Sequence, residues 1–261
     1  MIRFEHVTKR FGAKTVLDDA CFHIRRGETF VIVGQSGAGK SVSLRHMIRL
    51  LVPDSGKVWV GDDCISEASG KVLSRCLDRF GVLFQSGALL QWLNVEDNVC
   101  LPLRQRTRLP DAEIRARARE KLEMVGLADA GAKFPDSISG GMRKRVGLAR
   151  AIVTGPEIVL YDEPTSGLDP VISRQIDLLI DRLRRKLGVT SVVVTHDLYS
   201  ALRIGTRVAM LDHGRFAVCA PPAEFVQSEN PVVQRFLRAQ GIANLGDVEK
   251  AFEHETENNP D

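Results

Sequence analysis

The chain has 261 residues, 44% of them hydrophobic and 26% charged, the composition of an ordinary globular protein with one large domain or two small ones. Thirty-six Lys and Arg against 33 Asp and Glu leave a net charge of +3, too small an excess to argue for a nucleic-acid partner. No stretch approaches the roughly 18 uninterrupted apolar residues of a membrane span, and the opening Met1-Ile2-Arg3-Phe4-Glu5 lacks the blocks of a secretory leader, so a cytosolic chain is expected.

In chain order, residues 2–10 and 16–24 alternate apolar and polar side chains between turn signals at Gly12 and Gly27, which predicts antiparallel strands. Residues 29–33 form a continuous apolar run, the mark of a strand buried on both faces, and lead through residues 34–41 into a helical pattern reaching Leu51. From about 90 to 155 the pattern turns helical, with 3.6-residue periodicity over 111–125 and 141–152, and is read as a helical insertion. Residues 158–161, 191–195 and 207–211 are further buried-strand candidates, separated by a long helix over 170–187 and a shorter one after Leu198. Strands alternating with helices predict an α/β fold around a largely parallel, covered sheet. Five scattered cysteines (Cys21, Cys64, Cys76, Cys100 and Cys219), without a C-x-x-C pair or a histidine at metal spacing, are expected to be reduced and mostly packed.

Three constellations carry chemistry. Gly34, Gln35, Ser36, Gly37, Ala38, Gly39, Lys40 and Ser41 fit G-x-x-x-x-G-K-[ST], a phosphate-binding loop between a buried strand and a helix. Its glycines let successive backbone N–H groups curl around phosphate oxygens, Lys40 neutralises β- and γ-phosphate charge, and the Ser41 hydroxyl can ligate Mg²⁺. The strand at 158–161 ends in Asp162 and Glu163, acids placed where α/β sheets bind ligands; Asp162 can hold Mg²⁺ through water while Glu163 polarises an attacking water. Ser139, Gly140 and Gly141 head the helix after them, a second anion-binding N-terminus that one nucleotide on one chain does not need. A simple N-cap with a glycine turn is the plainer reading of that segment.

These motifs occur in the order of an ABC transporter nucleotide-binding subunit, which the chain resembles over nearly all of residues 2–240. The match adds Gln85 in Leu83-Phe84-Gln85, the D-loop Ser166-Gly167-Leu168-Asp169 and His196 in Val194-Thr195-His196-Asp197. The resemblance implies a P-loop NTPase fold of the ABC type, with a RecA-like core, an antiparallel β subdomain and a helical subdomain over about 90–155. It also implies ATP and Mg²⁺ as ligands. Phe11 would stack on adenine, residues 34–41 and Val42 would hold the phosphates, Ser41, Gln85 and Asp162 would serve the metal, and Glu163, His196 and Gln85 would be the catalytic set. Ser139, Gly140 and Gly141 would touch the γ-phosphate on the other subunit of a homodimer.

One departure narrows the resemblance. The usual signature L-S-G-G-Q stands here as Ile138-Ser139-Gly140-Gly141-Met142. A thioether hardly replaces a glutamine amide as a hydrogen-bonding group, so Ser139 and backbone N–H groups must carry more of that contact. The string Gly140 to Arg145, with Phe84 to Leu90, Asn94 to Val99 and Asp169 to Val171, is similar to the ATPases of Mla phospholipid transporters and related Mce systems. Such ATPases sit on the cytoplasmic face of the inner membrane with an MlaE-type permease, often a STAS-domain protein of the MlaB type, and an MCE-domain component of the MlaD type. A solute importer, a lipoprotein-release system or a soluble ABC ATPase would share the catalytic residues. Leu89, Leu90, Trp92 and Leu93 look exposed enough to meet the permease, with the subdomain's own core as the alternative.

The charge is uneven. Residues 247–261 hold six acids and one lysine, net −5, against 35 basic and 27 acidic residues before them. The resemblance places an ABC domain at 1–240 and leaves 241–261 as an acidic C-terminal extension, expected to be solvated, with residues 231–252 as a candidate dimer contact.

Overall fold

The computed structural model describes residues 1–248, so the acidic segment from Glu253 onward lies outside the described residues. In chain order the elements are β1 (Ile2–Phe11), β2 (Lys14–Ile24), β3 (Thr29–Val33), α1 (Lys40–Met47), β4 (Ser55–Val60), β5 (Asp63–Cys64), α2 (Gly70–Asp78), β6 (Phe80–Leu83), α3 (Val95–Arg106), α4 (Asp111–Met124), α5 (Gly140–Ile152) and β7 (Ile158–Asp162). Then follow α6 (Pro170–Leu187), β8 (Thr190–Thr195), α7 (Leu198–Ile204), β9 (Arg207–Asp212), β10 (Arg215–Ala220), α8 (Pro222–Val226) and α9 (Pro231–Ala239). They form two compact units, one from Met1–Leu77 with the chain from Thr190 onward, the other Asp78–Val189.

In the first unit, β2, β1, β4 and β5 pair in that order as an antiparallel sheet. Alternation works as read: Ile2, Phe4 and Val7 of β1 face inward with Leu17, Phe22 and Ile24 of β2, and all are buried. Phe22 stacks on Phe4 at 4.4 Å and on Phe30 of β3 at 5.5 Å, which ties the hairpin to the next strand of the unit. β3 lies parallel between β8 and β9, and β10 returns antiparallel along β9. All five residues of β3 and all six of β8 are buried, which is why their sequences are continuous apolar or small runs without alternation. Strands β4, β5 and β10 are too short or too exposed to announce themselves by pattern.

In the second unit, β6 and β7 pair parallel, with Phe80 opposite Ile158 and Leu83 opposite Tyr161. Gly81 has no alternative here, since a methyl group on it would run into the Ala151 carbonyl of α5. The segment read as helical from about 90 to 155 contains α3, α4 and α5. Helix α6 shows the local rules together. Asp169 caps it by accepting from the Ile172 N–H at 2.9 Å, Pro170 opens it, Ile176, Leu179, Ile180 and Leu183 line its buried stripe, and Gly188 closes it in the left-handed conformation at φ 65°.

One expectation needs correction. Leu89 is buried rather than exposed, whereas Trp92 is 74% exposed. The cause is Asn98, fully buried on α3: its Oδ1 accepts from the Leu90 N–H at 2.8 Å and its Nδ2 lies 3.0 Å from the carbonyls of Leu90, Leu93 and Asn94, which curls the loop and turns Leu89 inward. The cysteines are all free and mostly packed as expected, with Cys64, Cys76 and Cys100 buried or half-buried and Cys21 and Cys219 exposed. Cys21 also gains a histidine neighbour that linear spacing hides, since the β1–β2 pairing brings His6 Nδ1 within 3.6 Å of its sulfur and 2.8 Å from Asp19.

Candidate functional site

The first unit presents the phosphate loop at the end of β3. Val33 of β3 is level with Thr195 of β8, so the next residues, Gly34 and His196, leave the two strands side by side. Gly34 cannot carry a side chain because a methyl would meet the Leu211 carbonyl, and one on Gly39 would lie 2.7 Å from the Val16 carbonyl. Gly37 and Gly39 adopt φ of 79° and 107°, turning the loop back on itself before α1. Helix α1 starts without a side-chain cap, and the positive end of a helix favours an anion. Lys40 is 6% exposed, and its Nζ donates to the carbonyls of Gly34 at 2.9 Å and Gln35 at 3.1 Å. Gln35, Ser36 and Gly37 are exposed; Ala38, Ser41 and Val42 are half-buried. This cradle of glycines, backbone N–H groups and one lysine fits a polyphosphate, and nothing bulkier than hydrogen is tolerated at Gly34 or Gly39.

Phe11, at the end of β1, is 47% exposed with the Lys9 ammonium 5.6 Å from its ring centroid, so the ring is not core and its face is open to a planar ligand. His196 is exposed. Its carbonyl accepts from the Gln240 amide at 2.8 Å, and the same amide's oxygen accepts from the Leu198 N–H at 2.9 Å. The Tyr199 hydroxyl in turn donates to the Gln240 carbonyl at 3.2 Å. Gln240 follows α9, 44 positions from His196, and no motif marks it.

The second unit gathers the other group. Because Leu83 is level with Tyr161, Gln85 and the pair Asp162 and Glu163 leave neighbouring strand ends. Gln85 is exposed and its Nε2 donates to Ser166 Oγ at 3.4 Å. Glu163 is 9% exposed and held at φ 49°, a left-handed conformation that costs a non-glycine residue about 1–2 kcal/mol. Strained residues of this kind concentrate at working sites, and this one lies where the acids were expected. Ser139 caps α5, its Oγ accepting from the Met142 N–H at 3.2 Å, which is the N-cap reading of this segment. Gly141 is buried against α6, where a methyl would lie 2.6 Å from Ile172 Cγ2. Lys144, one turn on, is buried, and desolvation pushes its ammonium down to about 8 against the opposing pull of Glu163 and Asp162.

A family model described as ABC transporter matches residues 17–166, more than half of the chain. The chain belongs to the ABC transporter family. It is 40% identical over 252 residues to the probable ribonucleotide transport ATP-binding protein mkl of Mycobacterium leprae, covering 97% of this chain and 73% of that one. To the methionine import ATP-binding protein MetN 2 of Rhodopseudomonas palustris it is 43% identical over 217 residues, covering 82% of this chain and 57% of that one. Among solved structures, the dimeric post-hydrolysis state of the ATP-binding cassette MJ0796 bound to ADP and Pi superimposes with a TM-score of 0.78 at 33% identity, over 85% of this chain and 99% of that one. CbiO1 of Clostridium perfringens, part of the ABC transporter complex cbiONQ, gives 0.79 at 28% identity over 90% and 94%. The fold is therefore the α/β fold of an ABC-type ATPase, with its antiparallel β subdomain and mixed parallel sheet. The chain is an ATP-binding subunit that energises an ABC transporter, and the family implies ATP hydrolysis and a permease partner. No helix among the described residues is long and apolar enough to cross a membrane.

Proposed function

We propose that two copies of this chain bind and hydrolyse ATP at composite sites and drive phospholipid transport by a permease of the MlaE type in the inner membrane, with STAS-domain and MCE-domain proteins as further partners. The observation that carries the ATPase part is the phosphate loop, where two glycines are fixed by backbone contacts and a buried lysine points at loop carbonyls that a nucleotide phosphate can replace. In this reading residues 34–42 hold the phosphates and Phe11 stacks on the base. Ser41, Gln85 and Asp162 would hold Mg²⁺, which would neutralise phosphate charge. Glu163 takes a proton from the attacking water, Gln85 orients that water, and His196 donates toward the γ-phosphate. Ser139, Gly140 and Gly141 complete the site on the opposite subunit, and binding energy there closes the dimer. The ABC domain ends near 240, with the helical subdomain at about 90–155 and the extension at 241–261.

The phospholipid part rests on the string Gly140-Gly141-Met142-Arg143-Lys144-Arg145, and the exposed Trp92 is the apolar group offered to the permease. A second reading, a small-solute importer, is favoured by the 43% identity to a methionine import protein. Affinity purification from detergent-solubilised membranes separates them. The lipid reading expects a multi-span permease, an MCE-domain protein and bound phospholipid; recovery of a solute-binding protein for methionine would overturn it and leave the ATPase reading standing.

A further inference from the structure

Lys144 is 5% exposed, and its Nζ donates to two backbone carbonyls, that of Gln85 and, at 2.9 Å, that of Glu163. These partners lie 59 and 19 positions away in sequence. Desolvating an ammonium is costly, and a methionine would fill similar space without that cost, so the lysine is there for its donors. The rest of α5 shows what they serve. At Gly147 a methyl would lie 2.6 Å from Leu83 Cδ1 and 3.5 Å from the Gly87 Cα, so the missing side chain lets the loop after β6 come down onto the helix. Arg150 then donates to the carbonyls of Gly87 at 2.6 Å and Ala88 at 2.7 Å. One side of α5 thus grips the backbone at residues 85, 87 and 88, and Lys144 extends that grip to Glu163.

At Glu163 the grip acts on a strained residue. Its carbonyl also accepts from the Ser166 N–H at 3.2 Å, and its φ of 49° is not one the residue would adopt unaided. Fixing the carbonyl oxygen holds the plane of the following peptide and so restrains the backbone from which the Glu163 side chain projects.

We propose that Lys144 is a positioning residue, whose single ammonium ties the helix headed by Ser139 to the backbones of Gln85 and Glu163 so that the three keep fixed places through the catalytic cycle. The proposal rests on the reading of Glu163 as the proton acceptor.

The test compares Lys144→Met, Lys144→Gln and Glu163→Gln in the detergent-solubilised complex, by steady-state ATPase and hydrogen–deuterium exchange. Lys144→Met is expected to lower kcat about 10-fold or more with KM for ATP changed less than about two-fold. Exchange should rise at residues 84–88 and 163–168 and stay unchanged at 111–124. Lys144→Gln, whose amide can still reach one carbonyl, is expected to recover part of the rate. Wild-type kcat in Lys144→Met beside an inactive Glu163→Gln would overturn the positioning role alone. Wild-type turnover in Glu163→Gln would remove the proton acceptor and this proposal with it. A loss in Lys144→Met accompanied by faster exchange across 111–124, and not relieved by glutamine, would make Lys144 a stability residue and overturn the proposal.

Discussion

The Gln240 side-chain amide bridges the two ends of the turn after β8, donating to the His196 carbonyl at 2.8 Å and accepting from the Leu198 N–H at 2.9 Å. A residue from the C-terminal part of the chain thus sets the backbone on which His196 stands. Each such hydrogen bond contributes about 1 kcal/mol, and losing both frees the turn rather than the fold. Gln240→Ala is expected to lower ATPase kcat roughly five- to tenfold with little change in ATP affinity, measured by steady-state kinetics and nucleotide titration. An unchanged kcat would mean that the turn holds His196 without this amide.

Two glycines of the second unit separate lack of space from backbone conformation. Gly81 is pressed against the Ala151 carbonyl, whereas Gly155 has nothing within 4 Å of a built methyl group but sits at φ 69°. Backbone cannot step aside as a flexible side chain can, so Gly81→Ala is expected to cost about 3 kcal/mol or more. Gly155→Ala meets only the left-handed penalty, about 1 kcal/mol. Urea denaturation of both variants measures the gap; equal losses would show that the β6–α5 approach relaxes.

What the sequence discloses follows from how local each device is. The phosphate loop is legible because its chemistry needs consecutive backbone groups, so residues 34–41 announce it without any fold. Glu163 is legible only as an acid at a strand end; its left-handed backbone and the lysine beneath it come from packing. Gln240 and Lys144 leave no trace in a linear reading, since their targets lie 44, 59 and 19 positions away and are backbone atoms, which have no residue type to match. Leu89 and Trp92 look alike in sequence, and the buried Asn98 decides which of them faces solvent.

Glu96 on α3 receives Arg119 Nε at 2.8 Å and Arg115 at 2.8 Å from α4. The Arg119 hydrogen bond first, then that of Arg115, holds the Glu96 carboxyl below its usual 4.5. A depressed carboxyl stabilises the fold above the unfolded-state value and loses that contribution as pH falls through the folded one. The urea midpoint of Glu96→Gln is therefore expected to lie below wild type at pH 7, and the two should converge as pH drops below about 4.5. A gap that persisted in acid would point to shape rather than charge at this position.

Lys144 is also lowered, but by burial of its charged form rather than by a partner. Burial lowers its folded value to about 8 from 10.5, so below about 8 the ammonium is charged in both states and its burial weighs against the fold. Between the two values the unfolded chain keeps a proton that the folded chain has released, and stability must rise with pH across that window relative to a chain lacking the group. The urea midpoint of wild type minus that of Lys144→Met is expected to increase from pH 7.5 to 10 in parallel titrations. The amine still donates after losing its proton, so its two carbonyl contacts survive the change. A difference that stayed flat with pH would place the ammonium in contact with water, and Gly147 and Arg150 would still hold α5 to Gly87 and Ala88 but not to Glu163.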